Sequence, residues 1–228
     1  MTGIKLEAWN PYKFTNAEEV VTVLVLLMLA AVLVGMTLSP CPHKRRMVIW
    51  PLLLFWVFTI LSATFFGRLE NRGEGQAMRL ELFWTVQKAW EGHDGRYWYF
   101  IIGNILLFVP FGFLLPLTGI RMQNWLAVTF IGMVLSLMIE LIQYVTGTGL
   151  CELDDLFHNT WGTFTGYQVF LVVRYLVELI SNGSVWEKYT GRRRRGEGLL
   201  PFLYLFGVCL LFTSLLYKNR PDWTGIFY

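Results

Sequence analysis

Glu152-Leu153-Asp154-Asp155-Leu156-Phe157-His158-Asn159-Thr160-Trp161-Gly162 sets three acids, a histidine and an asparagine at the mouth of an apolar run that continues to Ile180. Ionisable groups at the edge of a membrane span are costly and are kept where they serve a function. What these groups face decides both the fold and the function.

The chain around this stretch reads as membrane protein. Of its 228 residues, 55% are hydrophobic, 17% aromatic and only 15% charged, against roughly 25% charged in a soluble domain. Mean hydropathy is +0.48. The aromatic content suits belts at two membrane interfaces. A net charge of +3, scattered along the chain, argues against a nucleic-acid partner. Cys41, Cys151 and Cys209 are far apart and form no CxxC, so neither a zinc site nor a disulfide framework is indicated. Glu18 and Glu19 precede the first apolar run where a signal peptide would be basic, so that run reads as a retained anchor.

About 20 apolar residues cross a bilayer. Candidate spans are Val20 to Leu38, Met47 to Gly67, Trp98 to Ile120, Trp125 to Thr146, Leu156 to Ile180 and Leu199 to Tyr217. The expected fold is an all-α polytopic membrane bundle of about six helices, forming a single domain over residues 1–228. Pro110 and Pro116 interrupt the third span, and Arg174 sits late in the fifth. Lys44-Arg45-Arg46, Arg121 and Arg192 to Arg195 follow alternate spans. The positive-inside rule assigns that side to the cytoplasm and places both termini on the outer side of the membrane.

Sidedness gathers the polar residues into one layer. Asn104, Glu140, Gln143, Asp154, Asp155, His158 and Asn159 all fall toward the outer ends of spans three to five. Asp155 and Asn159 are i,i+4 and share a face. Gly162 and Gly166 continue that stripe, and their spacing admits close approach of another helix backbone. Ser136, Glu140, Gln143 and Tyr144 line one face of span four, expected to meet Asn159 and Asn104. One of the two aspartates would suit the N-cap of span five. A lone carboxylate such as Glu140 needs a proton, a cation or hydrogen-bond donors at that depth. Glu140 and Asp155 are the candidate catalytic groups. The one cofactor the pattern admits is a divalent cation held by Asp154, Asp155 and His158 against a lipid pyrophosphate.

Residues Arg68 to Tyr97 are too polar to cross. Arg79 to Trp90 mixes apolar and charged residues as an interfacial helix would. An arginine there (Arg68, Arg72 or Arg79) would suit a lipid phosphate.

Three segments in order resemble VanZ-like membrane proteins. Asn104-Ile105-Leu106-Leu107-Phe108-Val109-Pro110-Phe111-Gly112-Phe113-Leu114-Leu115-Pro116 is similar to that family's N-x-L-L-F-x-P-x-G-F-L-L-P segment. Ser136 to Gln143 resembles its S-x-x-x-E-x-x-Q helix. Asp155 and Asn159 match its D-x-x-x-N-T-x-G motif. The resemblance covers roughly residues 68 to 175. Thr148 stands near a place where members often carry an arginine, which leaves any anion-binding role of that position in doubt. The founding member is associated with teicoplanin resistance, so the resemblance implies action at the cell envelope without naming a reaction.

Three functions follow as expectations. The first is binding or remodelling of a lipid-linked envelope component at the outer leaflet. The second is an integral membrane enzyme acting on a polyprenyl phosphate or other lipid. The third, a transporter or structural protein, ranks last, because a transporter would place polar groups near the midplane.

Overall fold

The computed structural model describes residues 42–65, 78–119, 122–147, 149–181 and 199–221. The first candidate span (Val20 to Leu38), Arg68, Arg72, Arg121, Thr148 and Arg192 to Arg195 lie outside the described residues, as do both termini. Among the described residues the chain forms helices α1 (Pro42–Phe65), α2 (Trp84–Gly92), α3 (Gly95–Leu114), α4 (Trp125–Thr146), α5 (Leu153–Ile180) and α6 (Leu199–Asn219). Two short strands, β1 (Met78–Arg79) and β2 (Cys151–Glu152), pair in parallel, with Met78 opposite Cys151 and Arg79 opposite Glu152.

Three helical stretches are long and apolar enough to cross a membrane: Gly95–Thr118, Trp125–Thr146 and Leu153–Ile180. The apolar stretches Val48–Thr64 and Leu203–Asn219 are shorter. The helical class expected from sequence holds, while a six-span topology is not established by these residues.

Local chemistry sets the helix ends. Asp94 caps α3 by accepting from the Arg96 amide at 2.9 Å, and Asn124 caps α4 through Leu126 at 3.0 Å. Gly147 closes α4 in the left-handed conformation, φ 64°, which glycine adopts without Cβ strain. Pro110 lies inside α3, and the chain then tightens into a 3-10 turn, Leu115–Thr118, that carries Pro116. The third span therefore runs on through its prolines with a change of helix type near its C-terminal end.

The centre of the bundle is α3 against α5. A Cβ on Gly162 would collide with the Ile105 carbonyl oxygen, and one on Gly166 with the Val109 oxygen. From the other side, a Cβ on Gly112 would strike the Thr163 oxygen. Each clash is with backbone, which has no rotamer to retreat into. The small residues of both helices thus let two main chains meet directly, as the Gly162–Gly166 spacing suggested. Phe108, Phe111, Phe113, Tyr167 and Phe170 fill the remaining space toward α1 and α4. Arg174, awkward in an apolar run, is buried and paired with Glu178 at 3.2 Å. On α4, Phe130, Leu137, Met138 and Leu141 stay exposed, a face suited to lipid.

A second cluster, Ala89 with Trp98, Ile101 and Ile105, seats the short helix α2 on α3.

Candidate functional site

The polar residues of α3, α4 and α5 collect at the end of the bundle that carries β1, β2 and α2. Asn104, Glu140, Gln143, Asp154, Asp155 and Asn159 are each held by a specific neighbour. On α5, the buried carboxylate of Asp154 accepts from two backbone amides of the α2 N-terminus, Phe83 at Oδ1 and Thr85 at Oδ2, the latter at 2.7 Å. Asp154 is thus a cap, but for α2 rather than for its own helix. The N-cap of α5 is Glu152, whose side chain makes no capping bond. The negative carboxylate suits the unpaired amides at the start of α2.

Asp155 accepts from Asn104 Nδ2 at 2.8 Å, joining α5 to α3. Asn159 donates through Nδ2 to Ser136 Oγ at 2.9 Å, joining α5 to α4. Glu140 is 2% exposed, and its Oε2 accepts the Glu152 amide at 2.9 Å. That bond fixes the turn leading from α4 into β2. Gln143, one helical turn from Glu140 on the same buried stripe, donates through Nε2 to the Thr64 carbonyl of α1 at 3.0 Å. Asn104 therefore meets Asp155 rather than the α4 face, and Gln143 reaches α1. Tyr144 is only partly buried beside this stripe.

Three atoms of this layer are buried and make no hydrogen bond to any described group: Gln143 Oε1, Asn159 Oδ1 and His158 Nδ1. Their residues are 1%, 3% and 2% exposed. Such atoms are uncommon in folded proteins and call for an explanation.

Above the layer, Arg79 pairs with Glu152 at 2.6 Å, and its guanidinium lies 3.7 Å from the Trp84 ring centre. Arg79 belongs to β1, so the interfacial helix expected from Arg79 to Trp90 begins only at Trp84. A groove of about 350 Å³ opens beside this pair, lined by Met78, Arg79, Leu80, Glu81, Trp84 and Leu150. Burial pushes the Cys151 thiol above its ordinary value, and the Glu140 and Glu152 carboxylates push it the same way.

Among the described residues no group of three or more His, Cys, Asp or Glu is arranged to hold a metal ion. Asp154, central to the divalent-cation expectation, already has both oxygens on backbone amides.

Asn219 was legible only as the edge of an apolar run. It is 1% exposed and ties three elements together. Trp98 Nε1 donates to its Oδ1 at 2.7 Å, and its Nδ2 donates to the Trp90 carbonyl at 2.9 Å. Its own carbonyl meets the His93 ring. With Asp154 at one end and Asn219 at the other, α2 is clasped from two helices. Its flanking residues, Phe83 at φ 67° and His93 at φ 49°, are both left-handed without being glycine. Neither clasp carries a local signal, because capping partners this remote leave no mark on the sequence near the helix.

A family model described as VanZ/LLP1 matches residues 47–174. Protein VanZ of Enterococcus faecium is similar at 33% identity over 70 residues, or 31% of this chain and 43% of that protein. The aligned part thus spans less than half of that relative's length. No solved structure matches.

Proposed function

The chain belongs to the VanZ/LLP1 family, and from that premise we propose that this membrane protein binds or remodels a lipid-linked component of the bacterial cell envelope at its polar layer. The family resemblance extends the proposal to glycopeptide resistance of the teicoplanin kind. One observation carries the reading. Gln143 Oε1, Asn159 Oδ1 and His158 Nδ1 keep unused hydrogen-bonding capacity in an otherwise bonded, buried layer. A layer serving structure alone would satisfy its members, since each buried unpaired polar atom costs about 1–3 kcal/mol. The apolar helix faces next to the layer suit an acyl or polyprenyl chain, while the layer suits its headgroup.

The β1–β2 pair and α2 form a platform over this end of the bundle, on the side assigned to the outer leaflet. The bonds made by Asp154 and Glu140 hold that platform in place. Asp155, Asn104 and Asn159 hold the three helices in register beneath it.

The test is a comparison of wild type with Glu140→Gln and Asp155→Asn, each first shown to fold by thermal unfolding. Lipid co-purification and sensitivity of the expressing cells to glycopeptides are the readouts. Loss of both in folded variants supports the reading. Unchanged lipid content and unchanged sensitivity in both variants refute it.

A further inference from the structure

The segment leading into α2 is apolar and uncovered. Leu80 is 67% exposed, Leu82 45% and Phe83 47%. Contiguous exposed apolar residues of this kind mark a contact with a partner or a membrane. Phe83 carries the patch onto α5, because its ring meets the Phe157 ring edge-on, with centroids 5.2 Å apart. Phe157 is itself 38% exposed. Its ring adjoins that of Trp161, which stacks on Phe212 of α6 at 5.8 Å. The patch is thus continuous with the flank of the apolar helices, the surface that lipid covers.

Its depth follows from α5. That helix has 28 residues, about 42 Å at a rise of about 1.5 Å per residue, against about 40–45 Å for a bilayer with its headgroups. The first turn of α5 therefore stands at headgroup level. The segment is pinned to that level at both ends. Arg79 pairs with Glu152, the residue before α5, and the Phe83 amide is bonded to Asp154 in its first turn. Glu81, exposed among the leucines, limits the depth, since a carboxylate is costly in hydrocarbon. The helix α2 has no comparable surface to offer lipid. Its residues Val86, Ala89 and Trp90 already pack in the cluster on α3. Its exposed face carries Gln87, Lys88 and Glu91, joined by a 2.7 Å hydrogen bond and a 3.8 Å ion pair.

We propose that Leu80, Leu82 and Phe83, together with Phe157, form a membrane anchor that enters the bilayer at the boundary between headgroups and acyl chains, while α2 turns its polar face to water. The interfacial contact thereby moves from the helix to the loop before it. Apolar faces of interfacial segments sink about 5–10 Å into that boundary, which is shallow enough to leave Glu81 among the headgroups. The anchor does not depend on what the polar layer binds.

The experiment uses the full chain in phosphatidylcholine nanodiscs, with Cys41, Cys151 and Cys209 replaced by serine and one new cysteine labelled with bimane. Leu82→Cys reports on the anchor and Lys88→Cys on the outer face of α2. The quenchers are a phosphatidylcholine with a nitroxide near the glycerol end of one acyl chain, and iodide in the water. The nitroxide should remove most of the fluorescence from the Leu82→Cys label and little from the Lys88→Cys label, with iodide acting in the opposite order. If iodide rather than the nitroxide quenches the Leu82→Cys label, the patch lies in water and the proposal is overturned. If neither quencher reaches it, another part of the protein covers the patch, which overturns the proposal too. Equal nitroxide quenching of both labels assigns the contact to α2 itself and also overturns it. Where Leu82→Cys does not fold, Leu80→Cys gives the same reading from the most exposed residue of the patch.

Discussion

Replacing Asp154 by alanine removes both acceptors from the start of α2. A hydrogen bond to a charged group contributes about 1.5–3 kcal/mol, so stranding the amides of Phe83 and Thr85 in place would cost about 3–6 kcal/mol. The helix has a cheaper route. It is nine residues long, and helices of that length are marginal by themselves. Its N-cap, Phe83, is held at φ 67°, a conformation that costs about 1–2 kcal/mol for a residue with a Cβ. Lifting the first turn into water rehydrates the amides and releases that strain, which limits the cost to the N-cap range of about 0.5–2 kcal/mol. The variant should therefore loosen α2 and leave the bundle folded. Hydrogen exchange in detergent or nanodiscs measures this directly. Amides of residues 83–92 should exchange up to about thirtyfold faster, while those of α3 and α5 keep their protection. Asp154→Asn, which retains one acceptor oxygen, should fall between. Unchanged exchange across 83–92 would refute the clasp. Parallel loss of protection through α5 would show that Asp154 supports the bundle instead.

The remaining predictions concern the bundle and its rim. Gly166→Ala drives a Cβ into the Val109 backbone and should destabilise by about 1–3 kcal/mol or more, whereas Gly103→Ala, with nothing within 4 Å of the new Cβ, should be tolerated; thermal unfolding separates them. Alkylation of Cys151 should reach half its maximal rate at a higher pH than a free thiol, because its thiolate is disfavoured. Glu140→Gln should move that midpoint down, and a midpoint unaffected by the substitution contradicts the electrostatic part of the argument. The side-chain hydrogen bond with Arg96 lowers the Asp94 carboxyl below its ordinary value of 3.8. Its stabilisation of the fold is thus present above that value and lost as pH falls through the lower, folded-state value. Asp94→Asn should flatten the acid limb of a stability-against-pH curve, and an unchanged limb would assign acid sensitivity to other groups.

Elements with a local or periodic signature were legible in advance. The apolar runs marked the three long spans, and the Gly162–Gly166 spacing marked where α5 meets α3. The i,i+4 relation of Asp155 to Asn159 placed both on inward-facing positions, where one bonds Asn104 and the other Ser136. Contacts that depend on where two remote segments finally lie were not legible. Asp154 carries every mark of a cap for its own helix, yet its oxygens go to α2, because the packing brings that terminus within reach. Gln143 lies on the α4 face expected to meet Asn159 and Asn104, but its amide finds the α1 carbonyl at Thr64. Asn219 lies beyond the end of the sixth candidate span, where nothing in the sequence singles it out, yet it is among the least exposed polar residues described.

The two clasps on α2 also impose an order in time. The helix leaves the ribosome early, but the Asp154 partner of the Phe83 amide lies 71 residues further along the chain. The Asn219 partner of His93 lies 126 residues on. Because synthesis runs from the N-terminus, α2 waits unclasped until the start of α5 brings Asp154. Its second clasp forms only when the end of α6 emerges. The second clasp is therefore the last of the two to form, and it reports that every described helix has been made.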